Sequence, residues 1–334
     1  MGWMRRGLAV LLLGAGLAGA TAGCLQEAPR GNPLDPLSPD FEDVGGLEGR
    51  VTTVYPPFGG LAGAEVRLTP GPFLAVTASD GRYAFPGVPS GGYQMRVTRD
   101  GYAPVDTAVT VLLGAVVQMD LALPGRPAVT TAALRAVQIH RWFPQEPLQM
   151  LDVTVAVADP DGVQDVERVW LEVPALGYAD TLAGAGGPGQ FAGTIVGAEL
   201  PASLQALQGQ AMHLGVRDRS GVVTVVDAPP LVRVIDFVPV AVAPQGLEPV
   251  SGPPFELTWE PVVLPYSFTF RLDVVRVEAD IQTPVVSIPD LSAELNTYTL
   301  TTALDPGDYF WTVSVVDAFG NRSRSREAGF QVVE

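Results

Sequence analysis

The chain has 334 residues, and its 20 basic residues are all arginine against 36 acidic ones. The formal charge of −16 argues against a nucleic-acid partner, whose phosphates must be neutralised by Lys and Arg. Apolar residues make up 47% and charged ones 17%, with 37 glycines and 31 prolines, a mix too apolar for a disordered chain and too rich in turn formers for a helical bundle. An all-β protein of short strands is expected, with two or three domains at roughly 100 to 200 residues each.

The N-terminus reads as an export signal. Arg5 and Arg6 form a positive start, residues 8–19 an apolar run rich in Leu, Ala and Gly, and Thr21, Ala22 and Gly23 lead to Cys24. The run is shorter than the about 20 residues of a spanning helix, and no later stretch reaches that length without a charge or a proline. Residues 1–23 resemble a bacterial lipoprotein signal peptide, with Thr21 where that family prefers Leu. The resemblance implies that Cys24 becomes a lipidated N-terminus whose acyl chains enter the bilayer, in the cell envelope at the outer membrane or cell surface. Cys24 is the only cysteine, so it has no intramolecular disulfide partner, and acylation would mask an otherwise reactive exported thiol. Residues 24–46 continue as a tether: the stretch 25–46 holds four prolines, several acids and no periodic pattern. Such a chain extends near 3 Å per residue.

Residues 47–124 alternate in short runs. Val66 and Leu68, then Tyr83 and Phe85, then Tyr93, Met95 and Val97 mark half-buried strands by their period of two. Turn signals at Ser79-Asp80-Gly81, Pro86-Gly87-Val88-Pro89 and Ser90-Gly91-Gly92 separate them. The landmarks GRV at 49–51, GAEVRL at 63–68, TASDGRYAF at 77–85, GVP at 87–89, Gly92-Tyr93 and Gly101-Tyr102 resemble the carboxypeptidase regulatory-like domain. That resemblance implies a seven-stranded transthyretin-like sandwich. It also implies a module rather than an activity, since such domains accompany peptidases, surface lipoproteins and outer-membrane transporters, and related folds hold glycans.

Residues 126–236 repeat one pattern, a turn between two alternating strands. Leu151, Val153, Val155 and Val157 run into DPDG at 159–162, and Met212, Leu214 and Val216 run into DRSG at 218–221. This resembles an immunoglobulin-like domain. Leu200, Leu204 and Leu207 predict a short helical turn between strands. Asp159, Asp161 and Asp165 in DPDGVQD supply the carboxylates that hard cations prefer, yet the stretch lacks the further acids and terminal Glu of an EF-hand-type loop. A turn with solvated acids is therefore expected and no metal is assigned, with calcium the alternative. His140, Trp142 and Phe143 form an aromatic cluster, read first as packing at an interdomain seam and second as a sugar platform.

Residues 237–334 resemble a fibronectin type III domain through FELTW at 255–259, FTFRLDVVRV at 268–277, LDPGDYFWTVSVVD at 304–317 and GFQV at 329–332. The resemblance implies a core role for Trp259 and a tyrosine corner at Tyr309.

Two histidines, His140 and His213, lie far apart, and no HExxH, GxSxG or phosphate-loop motif occurs. The glycine-rich stretch 183–189 lacks a following Lys-Ser/Thr and reads as a hairpin tip. The sequence thus predicts three β-sandwich domains in series after a signal peptide and tether, forming a non-catalytic binding or scaffolding lipoprotein without a cofactor. Its expected partners are the lipid bilayer and a protein or glycan of unknown identity. Alternatives are a carbohydrate-binding surface protein, using loop aromatics Tyr55, Phe58 or Trp142, and an accessory subunit of an outer-membrane transporter or secretion system.

Overall fold

The computed structural model describes residues 31, 35, 37, 38, 42–200, 202–279 and 281–333. Cys24, the signal peptide and most of the tether lie outside these residues. Among the described residues the regular elements are β-strands and four short 3-10 turns, and no helix is long and apolar enough to cross a membrane. Three separate buried apolar clusters succeed one another along the chain.

The first cluster belongs to strands β1 (Val44–Thr53), β2 (Glu65–Thr69), β3 (Leu74–Val76), β4 (Arg82–Pro89), β5 (Gly91–Thr98), β6 (Val105–Val111), β7 (Val116–Gln118) and β8 (Leu121–Leu123). One sheet runs β4-β1-β7, with β8 also on β1, and the other runs β3-β2-β5-β6. Tyr83, Phe85, Tyr93, Met95 and Val97 are buried between them, as their alternation requires. Eight strands stand where the resemblance implied seven because β7 and β8 are one strand interrupted. Both pair parallel to β1, and the break at Met119 and Asp120 crosses Gly49, where a Cβ would lie 1.8 Å from the Met119 carbonyl oxygen. Tyr83 Oη donates to that carbonyl oxygen at 2.7 Å. The expected turn at 86–89 is instead part of β4: Gly45 pairs with Val88 and Leu47 with Phe85, so Pro86 and Gly87 oppose one residue as a bulge.

The second cluster is built by β9 (Ala128–Ile139), β10 (Leu148–Ala158), β11 (Val166–Val173), β12 (Tyr178–Gly184), β13 (Gln190–Val196), β14 (His213–Asp218) and β15 (Val223–Asp227). Strands β9, β10 and β13 form one layer, and β12, β11, β14 and β15 the other. The leucine spacing predicted near 200–207 appears as two 3-10 turns, Gly197–Glu199 and Leu204–Leu207, with Leu200, Leu204 and Leu207 buried. The glycine-rich stretch is the tip of the β12–β13 hairpin, with Gly186 and Gly189 at positive φ.

The third domain repeats this arrangement with β16 (Ala241–Ala243), β17 (Glu248–Ser251), β18 (Phe255–Trp259), β19 (Phe268–Glu278), β20 (Ile281–Ser292), β21 (Thr297–Leu300), β22 (Gly307–Asp317), β23 (Arg322–Arg324) and β24 (Ala328–Val333). The layer β16-β18-β21 faces β20-β19-β22-β24, with β17 on the outer edge of β24. Trp259 is buried edge-on to Phe270 with ring centroids 5.2 Å apart, the core role implied for it. Tyr309 stacks on Phe330 and its hydroxyl donates to the Asp305 carbonyl oxygen at 2.9 Å, four residues upstream. That is the tyrosine corner the resemblance implied. Replacing Tyr309 by Phe keeps the ring and removes the bond, so stability in a urea titration is expected to fall by about 1 kcal/mol.

Candidate functional site

Neither histidine belongs to a catalytic constellation. His140 follows β9 and its Nε2 lies 3.3 Å from Ser323 Oγ, while burial, with Arg326 and Arg324 nearby, lowers its pKa. His213 is half-buried on β14, opposite Glu172 and Asp227. The side chains capable of chemistry gather instead where one domain meets the next.

The two C-terminal domains meet through backbone as well as side chains. Strand β23 pairs antiparallel with β22 of its own domain and parallel with β9 of the preceding one, so a single sheet runs through both. The hairpin that feeds β23 turns on Asp317, at the end of β22. Its Oδ1 accepts the N–H groups of Phe319 and Asn321, and Gly320 closes the turn at φ 81. The side chain is buried, and Oδ2 receives Nη1 of Arg233 at 2.8 Å from the segment that leaves the second domain. The Arg233 guanidinium lies 3.7 Å from the Tyr266 ring centroid, a stacked position that holds it in place. Asn321 Oδ1 accepts the Ala136 N–H at 2.9 Å, and Ser323 Oγ donates to the Phe237 carbonyl oxygen.

The first and second domains meet at an acidic junction. The DPDG stretch forms the turn expected of it, with the Gly162 N–H on the Asp159 carbonyl oxygen at 3.0 Å. Its acids are not solvated, and this corrects the sequence expectation. Asp165 is 3% exposed, Asp159 and Asp161 are half-buried, and one carboxylate oxygen of each lies within 4.8 Å of the others. The first domain covers them. Tyr55 Oη donates to Asp165 Oδ1 at 2.6 Å, and the Gly125 N–H, from the strand-to-strand linker, donates to Asp161 Oδ2 at 2.6 Å. A Cβ on Gly125 would meet Asp159 Oδ1 at 2.7 Å, so glycine is required for the linker to pass. Asp218 lies beside the group, since β14 and β11 pair Asp218 with Val166, the residue after Asp165. It is 0% exposed, and its Oδ1 accepts the Val222 N–H at 2.8 Å and the Ser220 hydroxyl.

Burial first, and then the neighbouring carboxylates, push the Asp159 carboxyl up to about 6, and desolvation likewise raises Asp161. The bond to Asp165 pushes the Tyr55 phenol up to about 12. Sequence reading missed Asp218 as a member of this group because it lies 53 positions after Asp165; the recurrence of an Asp-led turn after an alternating strand was the available signal.

The aromatic candidates separate. Tyr55 is tied to Asp165 through its hydroxyl, while its ring stays exposed. Phe58 is exposed at φ 55 in the same loop. Trp142 reaches the third domain, with Nε1 on the Glu327 carbonyl oxygen at 2.8 Å and Arg326 over its ring, so part of the predicted seam packing is present. Yet Trp142 remains 62% exposed and Phe143 is 89% exposed, and Phe143 therefore does not pack in the seam. Trp142 borders a groove of about 280 Å³ whose lining is mostly apolar, with Val238, Val240 and Ala241, and also includes the charged Arg326 and Glu327.

Residues 46–124 match the family model of the carboxypeptidase regulatory-like domain. No curated protein matches the chain. Among solved structures, the chain is similar to the cohesin–X-dockerin complex of Acetivibrio cellulolyticus, at 19% identity over 24% of this chain and 58% of that one, with TM-score 0.21. It is also similar to chicken CNTN1 FN1-FN3 domains, at 10% identity over 82% of this chain and 92% of that one, with TM-score 0.30. A third is the fibronectin(III)-like modules of Clostridium thermocellum CbhA, at 14% identity over 62% of this chain and 92% of that one, with TM-score 0.29. The chain thus spans little more than half the length of the cohesin–dockerin chain. Likenesses at this level carry no functional inference.

Replacing Arg233 by Met leaves Asp317 Oδ2 buried without its cation and is expected to cost about 2 kcal/mol, read by urea denaturation. The same change with Asp317→Asn is expected to cost less than the sum of the single changes, because the two side chains meet.

Proposed function

We propose that the protein is an exported, lipid-anchored, non-catalytic binding or scaffolding protein of a bacterial cell envelope, held to the bilayer by acyl chains on Cys24. The observation that carries this reading is where the chemically capable side chains lie. Asp317, Arg233, His140 and Trp142 make contacts that hold one sandwich against the next, and no cleft brings a nucleophile, a base and an orienting group together among the described residues. The regulatory-like module at residues 46–124 supports the same reading, since it is not a catalytic family. With 18 Arg against 36 acids after cleavage at Cys24, the ectodomain is self-repelling and soluble, with the lipid as its membrane attachment. In cells, Cys24→Ser is expected to move the protein from the membrane to the soluble fraction and to abolish metabolic labelling with an acyl chain. A protein that stays fully membrane-bound would overturn the assignment.

A second reading follows from Phe143 and Trp142. Two neighbouring exposed rings beside an apolar groove suit the C–H faces of a sugar. On a glycan array the protein is then expected to bind at least one sugar, with Trp142→Ala lowering that signal about tenfold or more; a blank array removes this reading and leaves the first intact.

A further inference from the structure

We infer that the junction between the first and second domains is a calcium site, formed by the carboxylates of Asp159, Asp161, Asp165 and Asp218 and covered by the first domain. Each of the four carboxylates has one oxygen already hydrogen-bonded: Asp159 Oδ1 by the Asp161 N–H, Asp161 Oδ2 by Gly125, Asp165 Oδ1 by Tyr55, and Asp218 Oδ1 by Val222 and Ser220. In each, the other oxygen is buried and has no partner: Asp159 Oδ2, Asp161 Oδ1, Asp165 Oδ2 and Asp218 Oδ2. Four orphaned acceptors at one place are far outside ordinary satisfaction of buried polar groups. None of the four acids has an Arg within ion-pair distance among the described residues.

The chain contains its own control. Asp218 and Asp317 sit at the same place in two sandwiches of the same connectivity, each ending the strand before an Asp-led turn. Each accepts turn N–H groups through Oδ1, and each is buried. The second oxygen of Asp317 meets Arg233, while that of Asp218 meets nothing, on a strand whose register sets Asp218 beside the turn that carries the other three carboxylates. Where one junction takes its positive charge from the linker, the other is left to take it from solvent.

The donor set selects the ion. All donors are carboxylate oxygens, with no His or Cys in the group, which suits a hard cation and not zinc. Calcium binds oxygens at 2.3–2.6 Å, so ligands on opposite sides of one ion lie about 5 Å apart, and the 4.8 Å span of Asp159, Asp161 and Asp165 fits that sphere. Backbone carbonyls and water complete its six to eight ligands; magnesium demands a tighter octahedron. Bound there, the ion neutralises the carboxylates that Tyr55 and Gly125 pin down, and so fixes the first domain on the second.

The test uses the full-length protein stripped with a chelator and then dialysed. Calorimetric titration with calcium chloride is expected to give one site per chain with a Kd of about 10⁻⁵ to 10⁻³ M, and 10 mM calcium is expected to raise the first melting transition by about 5 °C. Asp161→Asn and Asp218→Asn keep the shape and one oxygen to accept the hydrogen bond already made, from Gly125 in the first and from Val222 and Ser220 in the second. Each is expected to weaken calcium at least tenfold, while in chelator Asp161→Asn melts no lower than the parent because a repelling charge is gone. Magnesium is expected to bind at least tenfold more weakly. A folded parent with neither heat nor melting shift at 10 mM calcium overturns the inference, as do variants that bind like the parent; equal affinity for magnesium overturns the choice of ion. Asp161 is half-buried where Asp218 is fully enclosed, so its variant remains informative if Asp218→Asn does not fold.

Discussion

A carboxylate enclosed by protein needs a positive partner, and this chain places one at the corresponding point of two successive sandwiches. The requirement starts locally. An aspartate that ends a strand can bend the chain back within four residues, because Oδ1 takes the N–H groups that the turn leaves unpaired and a glycine supplies the positive φ. Both turns are therefore defined by a side chain that must sit inside. The second carboxylate oxygen of Asp317 meets Arg233 from the segment leaving the previous domain, and that of Asp218 is buried without a partner. A device that closes a hairpin thus creates a charge that the interdomain seam must answer.

At the seam between the second and third domains the answer is built into the chain. Arg233 leaves the second domain at the point where it can reach Asp317, and its stack on Tyr266 orients the guanidinium while limiting its contact with water. The parallel pairing of β23 with β9 then adds three residues of ladder, so neither domain keeps an open edge there. At the other seam no arginine arrives. Like charges about 5 Å apart repel by roughly 3 kcal/mol at an effective dielectric near 20, and the cross-domain bonds from Tyr55 and Gly125 take up only one oxygen each of Asp165 and Asp161. The raised pKa of Asp159 is the same repulsion and desolvation felt at one carboxyl. One seam is held by the chain alone, and the other is conditional on what its carboxylates meet.

What could be read without coordinates was what short-range chemistry controls. Period-two alternation located Tyr83, Phe85, Met95, Val153, Val216 and Val313 in the cores, and Tyr309 identified its own corner because the acceptor lies only four residues away. The regulatory-like module was legible through turn residues in order, Asp80-Gly81 among them. Where the reading failed, distant segments decided. The acids of DPDGVQD look solvated because nothing near them in sequence shows that Tyr55, Gly125 and Asp218 will close over them. Pro86 to Pro89 carries every local sign of a turn, yet pairing with β1 absorbs it as a bulge. Trp142 and Phe143 are adjacent and chemically alike, but only Trp142 carries an N–H that can find the Glu327 carbonyl oxygen.

The order of the seams along the chain gives their difference a mechanical meaning. The first domain comes first along the chain, and the second and third domains follow as a unit that shares one sheet. The orientation of that unit relative to the first domain therefore passes through the acidic junction. Gly125 leaves no room for a side chain there, and Tyr55 reaches across from a loop of β1 and β2, so the first domain is positioned by contacts made to the carboxylates themselves. Neutralising those charges strengthens the loops on which the first domain rests; leaving them bare strains the same loops. The conditional joint thus lies between the first domain and a distal pair stiffened by its shared sheet, an arrangement in which the orientation of the outer sandwiches relative to the first is set by charge at a single seam.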